Sequence, residues 1–207
     1  ERKWAFPFVL RYGAGDRQAV ARLFLDSPSQ SASLAFEPEW IFPDDGGVAY
    51  YRWELSSPML KSLLARRKSL TDREKLALLN NLGGLLSAGH LQVGEQLRIV
   101  SDFLDERHPA VVNLAVQTLA ADRSVFVNES NRAAWGAYVT PRLKTLGEKI
   151  GWTPRSGEPA KTDELRTNLI MLYSLDASDP ALLARAREQV DRYLAETGEV
   201  EPSTINA

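Results

Sequence analysis

Residues Tyr50–Gly89 have the sequence YYRWELSSPMLKSLLARRKSLTDREKLALLNNLGGLLSAG, and the chain changes character within them. Up to Leu55 the pattern is that of short strands and tight turns, and from Pro58 onward it is that of amphipathic helices. We therefore predict a mainly α protein with an N-terminal all-β part. Residues 1–57 are predicted to form a small β-sandwich, and residues 58–207 an α-helical superhelix of paired antiparallel, HEAT-like helices.

The most clearly delimited helix is predicted between Thr71 and Gly89. Thr71 and Glu74 form a capping box, in which the hydroxyl accepts an amide N–H of the first turn and the carboxylate reaches back. Gly83 and Gly84, inside the helix, each cost about 1 kcal/mol relative to alanine, which we interpret as room for a neighbouring backbone. Gly89 supplies the left-handed residue that ends the helix.

The first 57 residues are predicted to contain five short strands separated by turns. Pro7 makes the first strand an edge or a bulged strand. The aromatic side chains lack interleaved basic residues, so we predict that they form the sandwich core and not a stacking platform for bases or sugars. The strands are 3–12, 19–25, 33–36, 40–42 and 48–55; the aromatic residues are Trp4, Phe6, Trp40, Tyr50, Tyr51 and Trp53.

Seven helices of about 10 to 20 residues, joined by short loops, are predicted in the remainder. One of these helices is predicted to end near His108-Pro109, and Pro141 should kink a later helix near Thr140. The last helix starts at Asp179-Pro180. No internal repeat is clean enough to name a repeat family. We expect the chain to be a fragment of a longer protein, with the sandwich truncated at its start and the superhelix truncated at its end.

The composition narrows the functional class. The chain has 207 residues, of which 44% are hydrophobic and 25% charged, as in ordinary globular proteins. A net charge of −2 argues against a general nucleic-acid binder, and no apolar run is long enough to cross a membrane. There is no cysteine, so disulfides and thiolate metal sites are excluded. With no signal segment visible, a cytoplasmic location is favoured.

No catalytic or metal-ligating residue is predicted. His90 and His108 lack the H-E-x-x-H arrangement that places two imidazoles on one helical face around zinc, so both are interpreted as loop or capping residues. Asp44 and Asp45 could act as a general acid and base, but carboxylates before Gly-Gly are ordinary turn residues. No nucleophile elbow and no phosphate loop is present. Taken alone, the sequence predicts an interaction or covering domain.

The order of these segments resembles the region that follows the catalytic domain in zinc aminopeptidases of the aminopeptidase N family. In that family a strand with a Tyr-Arg-hydrophobic run ends a small sandwich, and a helix with an Asp-Arg start and an Ala-Gly end opens a superhelix. One departure is Asn80-Asn81, where acidic residues are common. The residues that carry the resemblance are Trp4, Pro7, Trp40-Ile41, Gly47 to Trp53, Asp72-Arg73, Leu78-Leu79, Ala88-Gly89, Gly147 to Trp152, Leu165-Arg166 and Ala184 to Tyr193.

The resemblance implies a non-catalytic piece of a larger enzyme. The family's zinc ligands, catalytic glutamate and substrate-amine motif belong to an upstream domain of the same polypeptide and match no residue here. The superhelix would cover that active site, limit peptide access and shape the substrate cavity. Arg166 is a weak candidate for holding a peptide carboxylate, although we predict it to be a solvated helix arginine. The alternative is a free-standing helical-solenoid adaptor that binds a partner protein and has no enzymatic link.

Overall fold

The structure is a computed structural model that describes residues 5–177 and, beyond them, residues 180, 183, 184, 187, 188, 190, 191 and 195. The chain divides into two compact units, Glu1–Gln92 and Val93–Ala207. The predicted β part followed by helices is confirmed. The predicted domain boundary after residue 57 marks the change of secondary structure, whereas compactness divides the chain after Gln92. The boundary at 57 stays a prediction.

The first unit begins with a three-stranded antiparallel sheet in the order β2-β1-β3. Its strands are β1 (Phe6–Ala14), β2 (Arg17–Leu25) and β3 (Trp40–Phe42). Gly15, with a φ of 56°, and Asp16 form the two-residue loop between β1 and β2. Pro7 pairs with Phe24 of β2, whereas β3 pairs only with residues 11–13 of β1. Pro7 therefore lies in the part of β1 that pairs with β2 alone, so β1 does not need a second ladder of hydrogen bonds there.

The strands predicted at 33–36 and 48–55 are wrong, because side chains satisfy the backbone of these segments. In the first segment a backbone N–H donates to the hydroxyl of Tyr12 at 3.1 Å. In the second, two N–H groups donate to one carboxylate oxygen of Asp44 at 2.8 and 2.9 Å. The side chain of Asn81 then bonds both the N–H and the C=O of a single residue, at 3.1 and 2.8 Å.

Two helices complete the first unit: α1 (Ser57–Ala65) and α2 (Asp72–Ser87), with the 3-10 turn Arg67–Ser69 between them. The predicted capping box is present, since the N–H of Glu74 donates to the hydroxyl of Thr71 and the carboxylate accepts the N–H of Thr71. Gly89, with a φ of 77°, follows the end of α2 as predicted. The buried apolar side chains of this unit come from strands, loops and both helices: Tyr12, Trp40, Phe42, Trp53, Leu60, Leu63, Leu70, Leu78, Leu79, Leu82 and Leu91.

The second unit is helical. Its elements are α3 (Val93–Asp102), the 3-10 turn Phe103–Asp105, α4 (Pro109–Phe126), α5 (Arg132–Ile150) and α6 (Ala160–Asp176). Pro141 lies inside α5, which is one continuous helix. The predicted last helix starts at Asp179, which lies outside the described residues, as do several residues after it.

Polar pairs establish the directions of α4, α5 and α6. Asn113, near the start of α4, bonds Glu164 in the first half of α6, and Arg123 near the end of α4 bonds Asp176 at the end of α6. These two helices therefore run in the same direction. Trp135, near the start of α5, donates to Asp176 as well, so α5 runs opposite to both.

Candidate functional site

The structure places no metal centre and no membrane span in the residues that it describes. Among them, no group of three or more His, Cys, Asp or Glu side chains lies close enough to hold a metal ion. No helix in the described ranges is long and apolar enough to cross a membrane. The described residues therefore offer no set of side chains that fits zinc.

The carboxylates of Asp44 and Asp45 serve the turn, as predicted. One oxygen of the buried Asp44 side chain accepts the N–H groups of Val48 and Ala49. Asp45 lies 3.5 Å from the Nε of Arg11, an ion-pair distance without hydrogen-bond geometry. Both carboxylates have structural partners, and neither is poised for proton transfer.

The two histidines have the roles that their positions indicate. Nδ1 of His108 accepts the N–H of Ala110 at 3.3 Å and caps α4. His90 follows the end of α2, and its Nδ1 lies 2.6 Å from a carboxylate oxygen of Glu54 on the protein surface. The interpretation as capping and loop residues is confirmed.

The predicted aromatic core is correct only in part. Trp40 and Trp53 are buried, and Phe42 packs edge-on against Trp53 with ring centroids 5.7 Å apart. Tyr51 is partly buried, and its hydroxyl donates to the carbonyl of Pro43. Tyr50 is fully exposed, so its assignment to the core is wrong. Trp4 lies outside the described residues.

Arg166 is not a solvated helix arginine; its side chain is fully buried. Its Nε donates to the carbonyl of Gly151 at 2.9 Å, and its terminal nitrogens bond Asp163 and Glu158. The guanidinium holds the pKa of Glu158 below its usual range, helped by the N–H of Arg155. Arg166 therefore fastens the loop 151–159 to α6. Its predicted role in substrate binding stays a prediction, and the burial gives it no support.

A groove of about 490 Å³ lies in the first unit between the segment 44–53 and α2. Two exposed arginines line it, Arg52 from the segment and Arg73 from the first turn of α2. Ala77 and Asn80 follow Arg73 at helical spacing, so the three share one face of α2. We call this feature the arginine groove.

Two glycines bring the sides of the arginine groove together. A Cβ on Gly84 would lie 2.8 Å from Nε of Arg52, so the missing side chain lets Arg52 rest on α2. A Cβ on Gly47 would lie 2.8 Å from the backbone oxygen of Arg73, and its φ of 63° suits glycine. The close backbone approach predicted at Gly83-Gly84 is therefore wrong. It occurs at Gly47, while Gly84 accommodates a side chain and a Cβ on Gly83 would meet no described atom within 4 Å.

The charges of the arginine groove are unbalanced. Neither Arg52 nor Arg73 has an ion pair or hydrogen bond within the described part of the chain. Asp44 is the acidic residue of the lining, but its side chain is buried and one oxygen is occupied by backbone N–H groups. Burial raises the pKa of the Tyr51 hydroxyl, and a hydrogen bond from the N–H of Val9 lowers it in part. Tyr51 therefore adds no negative charge at neutral pH.

A second groove, of about 900 Å³, lies in the second unit beside α5 and the end of α6. Arg132 and Lys144 line it together with Asp176. Arg123 holds the pKa of Asp176 below its usual range, and Trp135 also donates to this carboxylate. The charge of Asp176 is thus balanced inside the helix packing and is not offered to a ligand.

Comparison with known proteins now identifies the family. Residues 40–207 match the family model of the ERAP1-like C-terminal domain. The chain belongs to this family. Both sides of the arginine groove lie within the matched residues, so the groove is part of an ERAP1-like C-terminal domain.

Three curated relatives are aminopeptidases. The chain is 22% identical over 174 residues to a puromycin-sensitive aminopeptidase of Caenorhabditis elegans, covering 80% of this chain and 18% of that protein. It is 26% identical over 141 residues to an aminopeptidase N of Lactococcus lactis subsp. cremoris (strain MG1363), covering 66% of this chain and 16% of that protein. The corresponding values for an aminopeptidase N of Lactococcus lactis subsp. lactis (strain IL1403) are 23% over 150 residues, 72% and 18%.

These matches confirm the predicted resemblance to the C-terminal region of aminopeptidases. The chain spans 16 to 18% of the length of these curated relatives. Arg52 and Arg73 both belong to the motifs that carry the resemblance, although neither was predicted as a site residue. The available signal was Gly84, a costly helix glycine whose neighbour is Arg52.

Proposed function

We propose that this chain is a non-catalytic C-terminal part of a zinc-dependent aminopeptidase. In this proposal it covers the active site of an upstream catalytic domain of the same polypeptide and shapes peptide access and the substrate cavity. Its contribution to catalysis is the exclusion of water and the positioning of a peptide. The supporting observation is the match of residues 40–207 to the ERAP1-like C-terminal domain family. The zinc, the peptide substrates and the cytoplasmic location of the parent protein belong to the same proposal.

The coding sequence upstream of Glu1 tests the link to a peptidase. We expect an H-E-x-x-H motif followed by a downstream glutamate, which together supply the zinc ligands and the general base of such enzymes. An upstream region without this motif, together with a partner protein that co-purifies with the chain, would instead support a free-standing adaptor.

An activity measurement tests the assignment of a non-catalytic role. The isolated chain with added zinc should not hydrolyse an aminoacyl-anilide, because the described residues contain no group able to hold the metal. The parent enzyme is the positive control. Turnover by the isolated chain comparable to that of the parent would overturn the assignment.

A truncation tests the covering role. We compare the parent protein with a variant that ends at Gln92, the last residue of the first compact unit, using a small aminoacyl-anilide and long peptides as substrates. The variant should lose discrimination between the two substrate classes, because the access restriction has been removed. Unchanged ratios of kcat/KM between short and long substrates would contradict a covering role while leaving the family membership intact.

A further inference from the structure

The arginine groove has two positive charges with no protein partner. Arg52 and Arg73 are both exposed, and within the described residues neither makes an ion pair or a hydrogen bond. Nearby carboxylates outside the groove have other partners: Asp72 pairs with Lys75 at 3.8 Å and Glu54 with His90 at 2.6 Å. The groove therefore presents cationic donors to whatever enters it.

The two charges lie toward opposite ends of α2. Arg73 is in the first turn of α2, whereas Arg52 rests on Gly84, three turns later. With a rise of about 1.5 Å per residue, these two positions on α2 are separated by about 16 Å along the helix axis. A single carboxylate or phosphate is too small to reach both guanidinium groups, so the complementary ligand is elongated.

An extended peptide has matching dimensions. At about 3.3 Å per residue, side chains four positions apart are separated by about 13 Å and point to the same side, and the flexible glutamate and arginine side chains span the remainder. Asn80 lies between the arginines with an exposed amide that can donate to and accept from a peptide backbone. Two arginines face one carboxylate in the lining, and Asp44 already accepts the N–H groups of Val48 and Ala49, so an excess of positive charge remains.

We propose that the arginine groove binds an extended acidic peptide segment that carries carboxylates four residues apart, one at Arg52 and one at Arg73. The positions of the two cations select this spacing. Gly84 is a positioning residue, because it allows the Arg52 side chain to lie along the surface of α2. The inference goes beyond the proposed function, since a peptide can bind here whether or not the chain belongs to a peptidase.

Binding is measured by fluorescence anisotropy with the full 207-residue chain and a labelled seven-residue peptide. The peptide carries two glutamates four positions apart in a Gly-Ser background, with both termini blocked. The control peptide has glutamine at both positions. We expect the acidic peptide to bind about tenfold more tightly than the control at low ionic strength. The difference should shrink as salt is raised, because exposed charges are screened. Equal binding of the two peptides overturns the proposal.

Variants locate the site. Arg52→Gln and Arg73→Gln should each weaken binding of the acidic peptide by about threefold, with Lys61→Gln, an exposed lysine of α1 outside the groove, as the matched control. Loss in only one arginine variant contradicts the two-ended geometry, and equal loss in the lysine variant contradicts the location.

A last variant separates position from charge. Gly84→Ala keeps both arginines but displaces the Arg52 side chain. It should weaken binding of the acidic peptide while leaving the free energy of unfolding equal or higher, since alanine favours the helix. Unchanged binding would show that the contact with α2 does not position Arg52. All these measurements use binding by the chain, so their failure does not affect the peptidase tests.

Discussion

Glu74 in the first unit and Asp122 in the second are both buried carboxylates, but their surroundings differ. Glu74 accepts hydrogen bonds from the guanidinium of Arg11 at 2.6 Å, from the N–H of Thr71 at 2.8 Å and from the N–H of Gly46 at 3.2 Å. Within the described residues, Asp122 receives hydrogen bonds from the amide of Gln96, at 2.9 and 3.1 Å, and has no cationic partner.

The difference shows two ways in which the fold accommodates a buried carboxylate. Arg11 balances the charge of Glu74, so the carboxylate can join β1, the turn after β3 and α2 at one point. In the second unit, burial raises the pKa of Asp122, and the hydrogen bond from Gln96 lowers it in part. The Oε1 atom of Gln96 is buried with no hydrogen-bond partner among the described residues.

The largest effect is expected from removing the cation beside Glu74. Arg11→Met leaves a nearly inaccessible carboxylate without its counter-charge, which should lower the free energy of unfolding by about 3 to 5 kcal/mol. The measurement is urea denaturation followed by tryptophan fluorescence. Arg22→Met, an exposed arginine on β2, is the matched control and should change stability by less than about 0.5 kcal/mol.

A second substitution tests whether the loss comes from the uncompensated charge. Glu74→Gln in the Arg11→Met background keeps an oxygen for the capping box and removes the charge. The double variant should be more stable than Arg11→Met alone. If both variants are equally unstable, the packing of the Arg11 side chain, and not its charge, supports this part of the sheet.

A smaller difference between the two units concerns the effect on stability of replacing a helix glycine by alanine. In the second unit a Cβ on Gly147 would overlap the ring of Trp152, which packs on Tyr173 with centroids 5.2 Å apart. Gly147→Ala should therefore destabilise by about 1 to 3 kcal/mol through overpacking. Gly84→Ala meets only the flexible Arg52 side chain and should stabilise by up to about 1 kcal/mol through helix propensity. Thermal unfolding of both variants, compared at one pH, measures the difference in sign.

Features that depend on neighbouring residues could be predicted from the sequence. The capping box of Thr71 and Glu74 and the stop at Gly89 involve residues within one or two turns, and both are confirmed. The contact between Glu74 and Arg11 joins residues on opposite sides of the β-to-α change, and no local pattern indicates it. The β part and the helices were therefore predictable, whereas the manner in which α2 contacts the sheet was not.

The same limit of prediction from the sequence applies to the candidate site. The apolar periodicity of α6 predicts one buried face and a solvated Arg166, yet α4, α5 and the loop 151–159 together leave Arg166 fully buried. Arg52 and Arg73 lie in different segments, and their common groove depends on Gly47 and Gly84. The sequence shows that these glycines are costly or need unusual backbone angles, but it does not show which residue uses the space.

The smallest effect concerns Asp122 and depends on pH. Because the pKa of Asp122 is raised in the folded state, folding favours the protonated acid, and stability falls as pH rises from the ordinary pKa of about 4. Below that pH the acid is protonated in both states and the cost disappears. Asp122→Asn removes the charge without changing the shape, so it should stabilise by about 1 kcal/mol at pH 8 and by nearly nothing at pH 3. Urea denaturation at both pH values measures this, with the exposed Asp105→Asn as control. A gain of equal size at both pH values, or destabilisation at pH 8, would contradict a raised pKa of Asp122 in the folded state.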